Sequence, residues 1–218
     1  MRKDRYSAIK LRKQNKSYNQ ISQKLGIPKS TLVYWFGDKN WSKNIKNKLN
    51  TRNILLFKTR LKLINKTRIE KWEKWRESFR IEARKEFKKL FRDPLFISGI
   101  NLYWGEGDSV LKNGKVRLSN TDYRLIKVFT KFLVNIIGVP KEKIKCTLIL
   151  YPDLKEKKCK LFWRNIIKIP LSQFYKTQFI KGKHPTKRLE NGICMIQVLS
   201  RGIKEKIMVW TDLLYKNV

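Results

Sequence analysis

Pro94-Leu-Phe-Ile-Ser-Gly-Ile-Asn-Leu-Tyr-Trp-Gly-Glu-Gly-Asp108 is the stretch on which the fold turns. Asp93 stands where a helix N-cap accepts hydrogen bonds, and proline is preorganised for the first helical position. The spacing predicts an apolar helix. Small residues recur in it at Ser98, Gly99, Gly105 and Gly107. Glycine inside a helix costs about 1 kcal/mol relative to alanine. Close approach of a second helix offsets that cost. The segment ends on an acid, Glu106, flanked by glycines. A helix C-terminus repels an anion. A bound cation held by carboxylate oxygen resolves the conflict.

Downstream, the pattern predicts a strand in Val116-Arg-Leu-Ser-Asn-Thr-Asp122 and a helix over 123–137 that ends at Gly138-Val139-Pro140. A strand over 144–151, a helix over 154–167, strands over 173–180 and 194–200, and a helix over 203–215 follow. Together with "SGINLYWGEGD" and "VRLSNTD", this order resembles the LAGLIDADG homing endonucleases. The resemblance implies an αββαββα domain with an extra helix, and a homodimer of two copies paired through the first helix on the face that carries Gly99, Tyr103 and Gly105. It implies Glu106 as the ligand of a catalytic Mg²⁺ ion and double-stranded DNA as the substrate. Trp104 stands where the family has its first acid, and Glu106 replaces an aspartate while keeping the carboxylate.

Upstream, "LRKQNKSYNQISQKLGIPKSTLVYWF" (11–36) holds two short helical patterns on either side of Gly26-Ile27-Pro28. Ser17 is a candidate cap, and Gly26 stands where a helix ends with positive φ. Two helices joined by a tight turn form a helix-turn-helix, whose second helix enters the DNA major groove. The segment resembles that unit in resolvases, transposases and small repressors. Ile21, Leu25, Gly26, Ile27, Ser30, Thr31, Leu32 and Trp35 match the pattern, and Pro28 departs from it. The resemblance implies that Lys29, Ser30, Thr31 and Tyr34 face the groove.

Between these zones, residues 38–93 contain neither glycine nor proline. They predict long helix, about 80 Å if continuous, with Asn50-Thr51 as the expected break. Ile69, Trp72, Trp75, Phe79, Ala83, Phe87 and Leu90 recur at helical spacing and read as an amphipathic stripe whose tryptophans belong to a core. The expected class is therefore α+β. A helix-turn-helix occupies 1–37, a basic helical linker 38–92 and a LAGLIDADG-like domain 93–218.

Charge sets the partner. The chain of 218 residues holds 52 Lys or Arg against 17 Asp or Glu, a formal net charge of +35. Such self-repulsion points to a polyanion. At 41% hydrophobic and 12% aromatic residues, the composition excludes a disordered basic tail. No secretory signal or membrane span is legible, so a cytoplasmic, nucleoid-associated protein is expected. Cys146, Cys159 and Cys194 show no CxxC spacing and read as buried thiols. With His184 the one histidine, structural zinc is not expected. Candidates to contact phosphate in "KTQFIKGKHPTKR" are Lys176, Lys181, Lys187 and Arg188, with Lys181 placed beside Glu106 in catalysis and His184 a weaker candidate base. Three functions stand at this stage. They are a dimeric Mg²⁺-dependent DNA endonuclease, a non-cleaving DNA-binding regulator (a layout similar to regulators of bacterial sporulation), and an RNA-binding maturation factor.

Overall fold

The protein is described by a computed structural model covering residues 4–181 and 189–217. It is a mixed α+β chain of two compact units, 1–71 and 72–218.

The first unit opens with α1 (Asp4–Lys13), α2 (Tyr18–Leu25) and α3 (Lys29–Phe36). Ser17 caps α2 in a full capping box: its hydroxyl accepts from the Gln20 amide, and the Gln20 side chain accepts from the Ser17 amide. Gly26 ends α2 at φ +65°, a conformation that side-chain-bearing residues rarely adopt. Ala8, Ile21, Ile27, Leu32 and Phe36 form the small core. Buried Arg12 ties α1 to the next helix. Its Nε donates to Ser42 Oγ at 3.1 Å and its Nη2 to the Ser42 carbonyl at 2.8 Å, while its guanidinium lies over the Tyr18 ring. That next helix, α4, runs unbroken over Asn40–Leu90. The expected break at Asn50-Thr51 is absent. No residue there interrupts the backbone ladder, and the Thr51 hydroxyl donates back to the Asn47 carbonyl.

The second unit begins inside α4, so the half of α4 from Trp72 onward groups with the residues that follow it. Ala83 and Phe87 are core residues, and Trp210 donates its indole N–H to the Ala83 carbonyl at 2.9 Å. Trp72 and Trp75, expected in the core, are instead exposed and stack edge-on with each other. After α4 come α5 (Pro94–Glu106), β1 (Lys115–Asn120), α6 (Tyr123–Lys131, extended to Ile136 by a π-helical turn), β2 (Ile144–Leu150), α7 (Glu156–Ile167), β3 (Gln178–Phe179), β4 (Ile193–Leu199) and α8 (Arg201–Lys216). The sheet order is β1-β4-β2-β3, antiparallel except for the β2–β3 pair.

This order differs from αββαββα. The first strand expected after α5 is reduced to one antiparallel bridge, Gly107 to Leu118, and α7 separates β2 from β3. Burial alternates along β1 and β4 and, except at buried Thr147, along β2. Val116, Leu118, Cys146, Leu148, Cys194, Ile196 and Val198 join α5, α6, α7 and α8 in one core. All three cysteines are buried and unbridged.

Candidate nucleic-acid interface

The residues that alternate with the core set put a polar surface on the other side of the sheet. Strand register aligns Arg117, Gln197 and Lys145 in one row across β1, β4 and β2. The neighbouring row is Ser119, Met195 and Thr147, of which Thr147 is buried. Two recesses open on the strands. One, of about 440 Å³, is lined by Lys115, Glu142, Lys143, Lys145, Tyr175 and Gln197 together with Val198 and Leu199. The other, of about 340 Å³, is lined by Glu106, Gly107, Asp108, Ser109, Arg117, Ser119 and Met195.

The second recess lies where α5 ends. Asp93 caps that helix through the amides of Leu95 and Phe96, with Pro94 in the first turn. At the other end Gly107 passes so close to Tyr103 that a Cβ would stand 2.3 Å from the Tyr103 carbonyl oxygen. A glycine is therefore required where the chain leaves α5 to meet β1. The following turn is held from below. Fully buried Lys204 donates to the Tyr103 hydroxyl at 2.6 Å, and that hydroxyl donates to the Asp108 carbonyl at 2.7 Å. Burial pushes the Tyr103 hydroxyl pKa up, and the Asp108 charge adds to it. Burial also pulls the Lys204 ammonium down, against the pull of Asp108.

The two acids of this turn differ. Asp108 accepts from Asn113 Nδ2 at 2.9 Å, from Arg117 Nη2 at 2.9 Å and from the Val110 amide at 3.0 Å. The Asn113 hydrogen bond is the main reason that its pKa is lowered. Its lone pairs are occupied by the protein. Glu106 is exposed on the rim of the recess and makes no hydrogen bond or ion pair among the described residues. No three His, Cys, Asp or Glu side chains gather as a metal cage among the described residues.

No protein-family model, curated protein or solved structure matches the chain.

Geometry sorts the residues nominated from sequence. Gly99 and Tyr103 do not lie on a free face. A Cβ on Gly99 would stand 2.2 Å from Phe132 Cγ, and the Tyr103 ring is buried against Phe129. The close helix approach expected between two copies is made inside the unit. Gly105 does lie on the exposed face, with Ser98, Asn101 and Trp104. Lys176 and Lys181 are exposed on either side of β3. Strand β2 lies between β3 and the Glu106 recess, so a single chain does not bring Lys181 beside Glu106. His184, Lys187 and Arg188 lie outside the described residues. In the first unit Lys29, Ser30 and Tyr34 are exposed on α3, Tyr34 to 88%, while Thr31 is half-buried. Arg117, Lys145 and Gln197 were missed. For Arg117 and Gln197 the signal was the alternation in Lys115-Val-Arg-Leu-Ser-Asn120 and Ile193-Cys-Met-Ile-Gln-Val-Leu199, and for Lys145 its place as the one charged residue of the apolar run Ile144-Lys-Cys-Thr-Leu-Ile-Leu150.

Proposed function

We propose that the protein binds duplex DNA with two surfaces, α3 of the helix-turn-helix and the open sheet face, and that a pair of chains hydrolyses the phosphodiester backbone. The carrying observation is the unengaged Glu106 carboxylate beside Arg117, on a polar sheet face of a chain with net charge +35. An acid so placed repels DNA unless a cation intervenes. Lys29, Ser30 and Tyr34 present side chains of groove-reading length, and Lys115, Arg117 and Lys145 supply the charge that contacts phosphate.

A divalent cation fits the donor set in a restricted way. The Glu106 recess offers one open carboxylate per chain among the described residues, and Mg²⁺ takes few protein ligands when substrate phosphate supplies the rest. Glu106 from each of two chains would hold Mg²⁺, which lowers the pKa of water and polarises the phosphate. The chain's own contribution is to fix the turn that follows Glu106 through the Lys204–Tyr103–Asp108 hydrogen bonds and to hold phosphate with Arg117. Pairing would use the exposed face Ser98, Asn101, Trp104 and Gly105.

The expected result is that Glu106→Gln abolishes Mg²⁺-dependent nicking of supercoiled plasmid while gel-shift affinity for duplex is kept. Nicking unchanged by this substitution refutes the site. A second reading, a DNA-binding regulator without cleavage, is favoured by the single open carboxylate that the recess offers. It expects duplex binding and no cleavage in any divalent metal. Competition by folded RNA at about 150 mM salt separates both from an RNA-binding role, because low salt lets non-specific binding dominate.

A further inference from the structure

We infer that the first unit of this chain pairs with a second copy through the apolar seam Ile54, Phe57, Leu61 and Ile64 of α4, as a short parallel two-stranded coiled coil. These four residues are 44–65% exposed and fall at steps of 3, 4 and 3. Those are consecutive a and d positions of a heptad, the pattern by which two helices bury a common seam. Beyond it the same face turns polar at Asn47 and Asn50 and basic at Arg68 and Lys71, which bounds the seam at both ends. The exposed leucines 55, 56 and 63 lie around the rest of the helix. Arg60 interrupts their line, so they form no continuous seam.

Charge decides the orientation. Residues 43–68 carry nine Lys or Arg and no acid, so two such helices repel unless their cations are kept apart. In a parallel, in-register pair the flanking g position of one helix meets the next e position of the other. That places Asn53 opposite Lys58 and Arg60 opposite Asn65, each cation facing a neutral amide. An antiparallel pair centred on the seam sets Lys58 against Lys58 and Arg60 against Arg60. The sequence therefore permits the parallel arrangement and opposes the other. Four half-exposed large side chains offer about 400 Å² per chain, below the roughly 800 Å² per partner of a stable complex. The pair is thus a weak one, populated at micromolar concentrations and above. It does not depend on the DNA reading.

Sedimentation equilibrium on the full chain, from about 5 to 200 µM at moderate salt and without DNA or divalent cation, so that pairing on a shared substrate does not contribute, tests it. The expected result is a concentration-dependent monomer–dimer equilibrium. Leu61→Lys abolishes it and Leu56→Lys, on the other side of the helix, does not, with helicity by circular dichroism unchanged in both. On mild oxidation Ile64→Cys gives a covalent dimer and Thr59→Cys does not. Any of three results overturns the inference: a monomer throughout the range; association lost in Trp104→Lys but kept in Leu61→Lys, which would assign pairing to α5; or cross-linking only between Ile54→Cys and Ile64→Cys chains, which would reverse the orientation. Binding of the monomer to anionic lipid vesicles through Phe57, without self-association, would also overturn it.

Discussion

Gly99 carries the sharpest consequence at the scale of a single residue. The small residues of α5 were read as a surface for another chain, but the space at Gly99 is filled by Phe132. Overpacked cores lose about 1–3 kcal/mol. Gly99→Ala should therefore lower thermal stability by that amount, despite alanine's better helix propensity, as a fall of several degrees in the calorimetric midpoint. A rise in the midpoint would show that Phe132 has room to move. Asp108 sets a pH window. Its folded pKa is lowered, first by the Asn113 hydrogen bond, whereas in the unfolded chain it takes up a proton near about 4. Below that pH the unfolded state binds more protons, so this stabilisation is complete above about 4 and is lost as pH falls through the folded value. Asn113→Ala should move the acid-unfolding midpoint to higher pH, followed by tryptophan fluorescence.

At the scale of the element, the second half of α4 changed most between sequence and structure. Its acids fall into two sets. Glu73 and Glu77 do remain on the surface with Arg76, Arg80 and Arg84. Glu82 and Glu86, however, pair with Lys206 of α8, and Arg80 Nε reaches the buried Glu205 carboxylate at 2.8 Å. Phe79 sits so close to Gly202 that a Cβ there would stand 2.5 Å from its ring. Helical periodicity announces such a face but cannot name what covers it, since the covering helix lies over a hundred residues away in sequence. Removing one partner from a buried ion pair costs about 3–5 kcal/mol. Arg201 still holds Glu205 at 2.8 Å, so Arg80→Met should cost less, about 2 kcal/mol. Urea unfolding is the measurement. A loss indistinguishable from that of Arg84→Met, an exposed pair, would mean that the Arg80–Glu205 contact contributes nothing.

At the scale of the whole molecule, the excess charge becomes a measurable slope. The logarithm of a DNA affinity falls with the logarithm of salt by about 0.9 for each phosphate neutralised. Replacing Lys115, Arg117 and Lys145 together with glutamine should reduce that slope by about three if the sheet face tracks the backbone. An unchanged slope would move the interface elsewhere. By itself, the sequence determined what short-range physics can write. The capped α2 with Gly26 at positive φ, the proline-led α5 and the alternating strands are local preferences, and they stand where the residues put them. Local pattern also gave nearly every element of the second unit in order, and the net charge that points to a polyanion. Only the tertiary structure decided which faces meet. It buried Gly99 and Tyr103 inside the chain, set Lys181 away from Glu106, left Trp72 and Trp75 exposed, and occupied Asp108 with Asn113 and Arg117 while leaving Glu106 open. Those outcomes depend on contacts between residues far apart in sequence, and periodicity fixes the face of an element without fixing its neighbour.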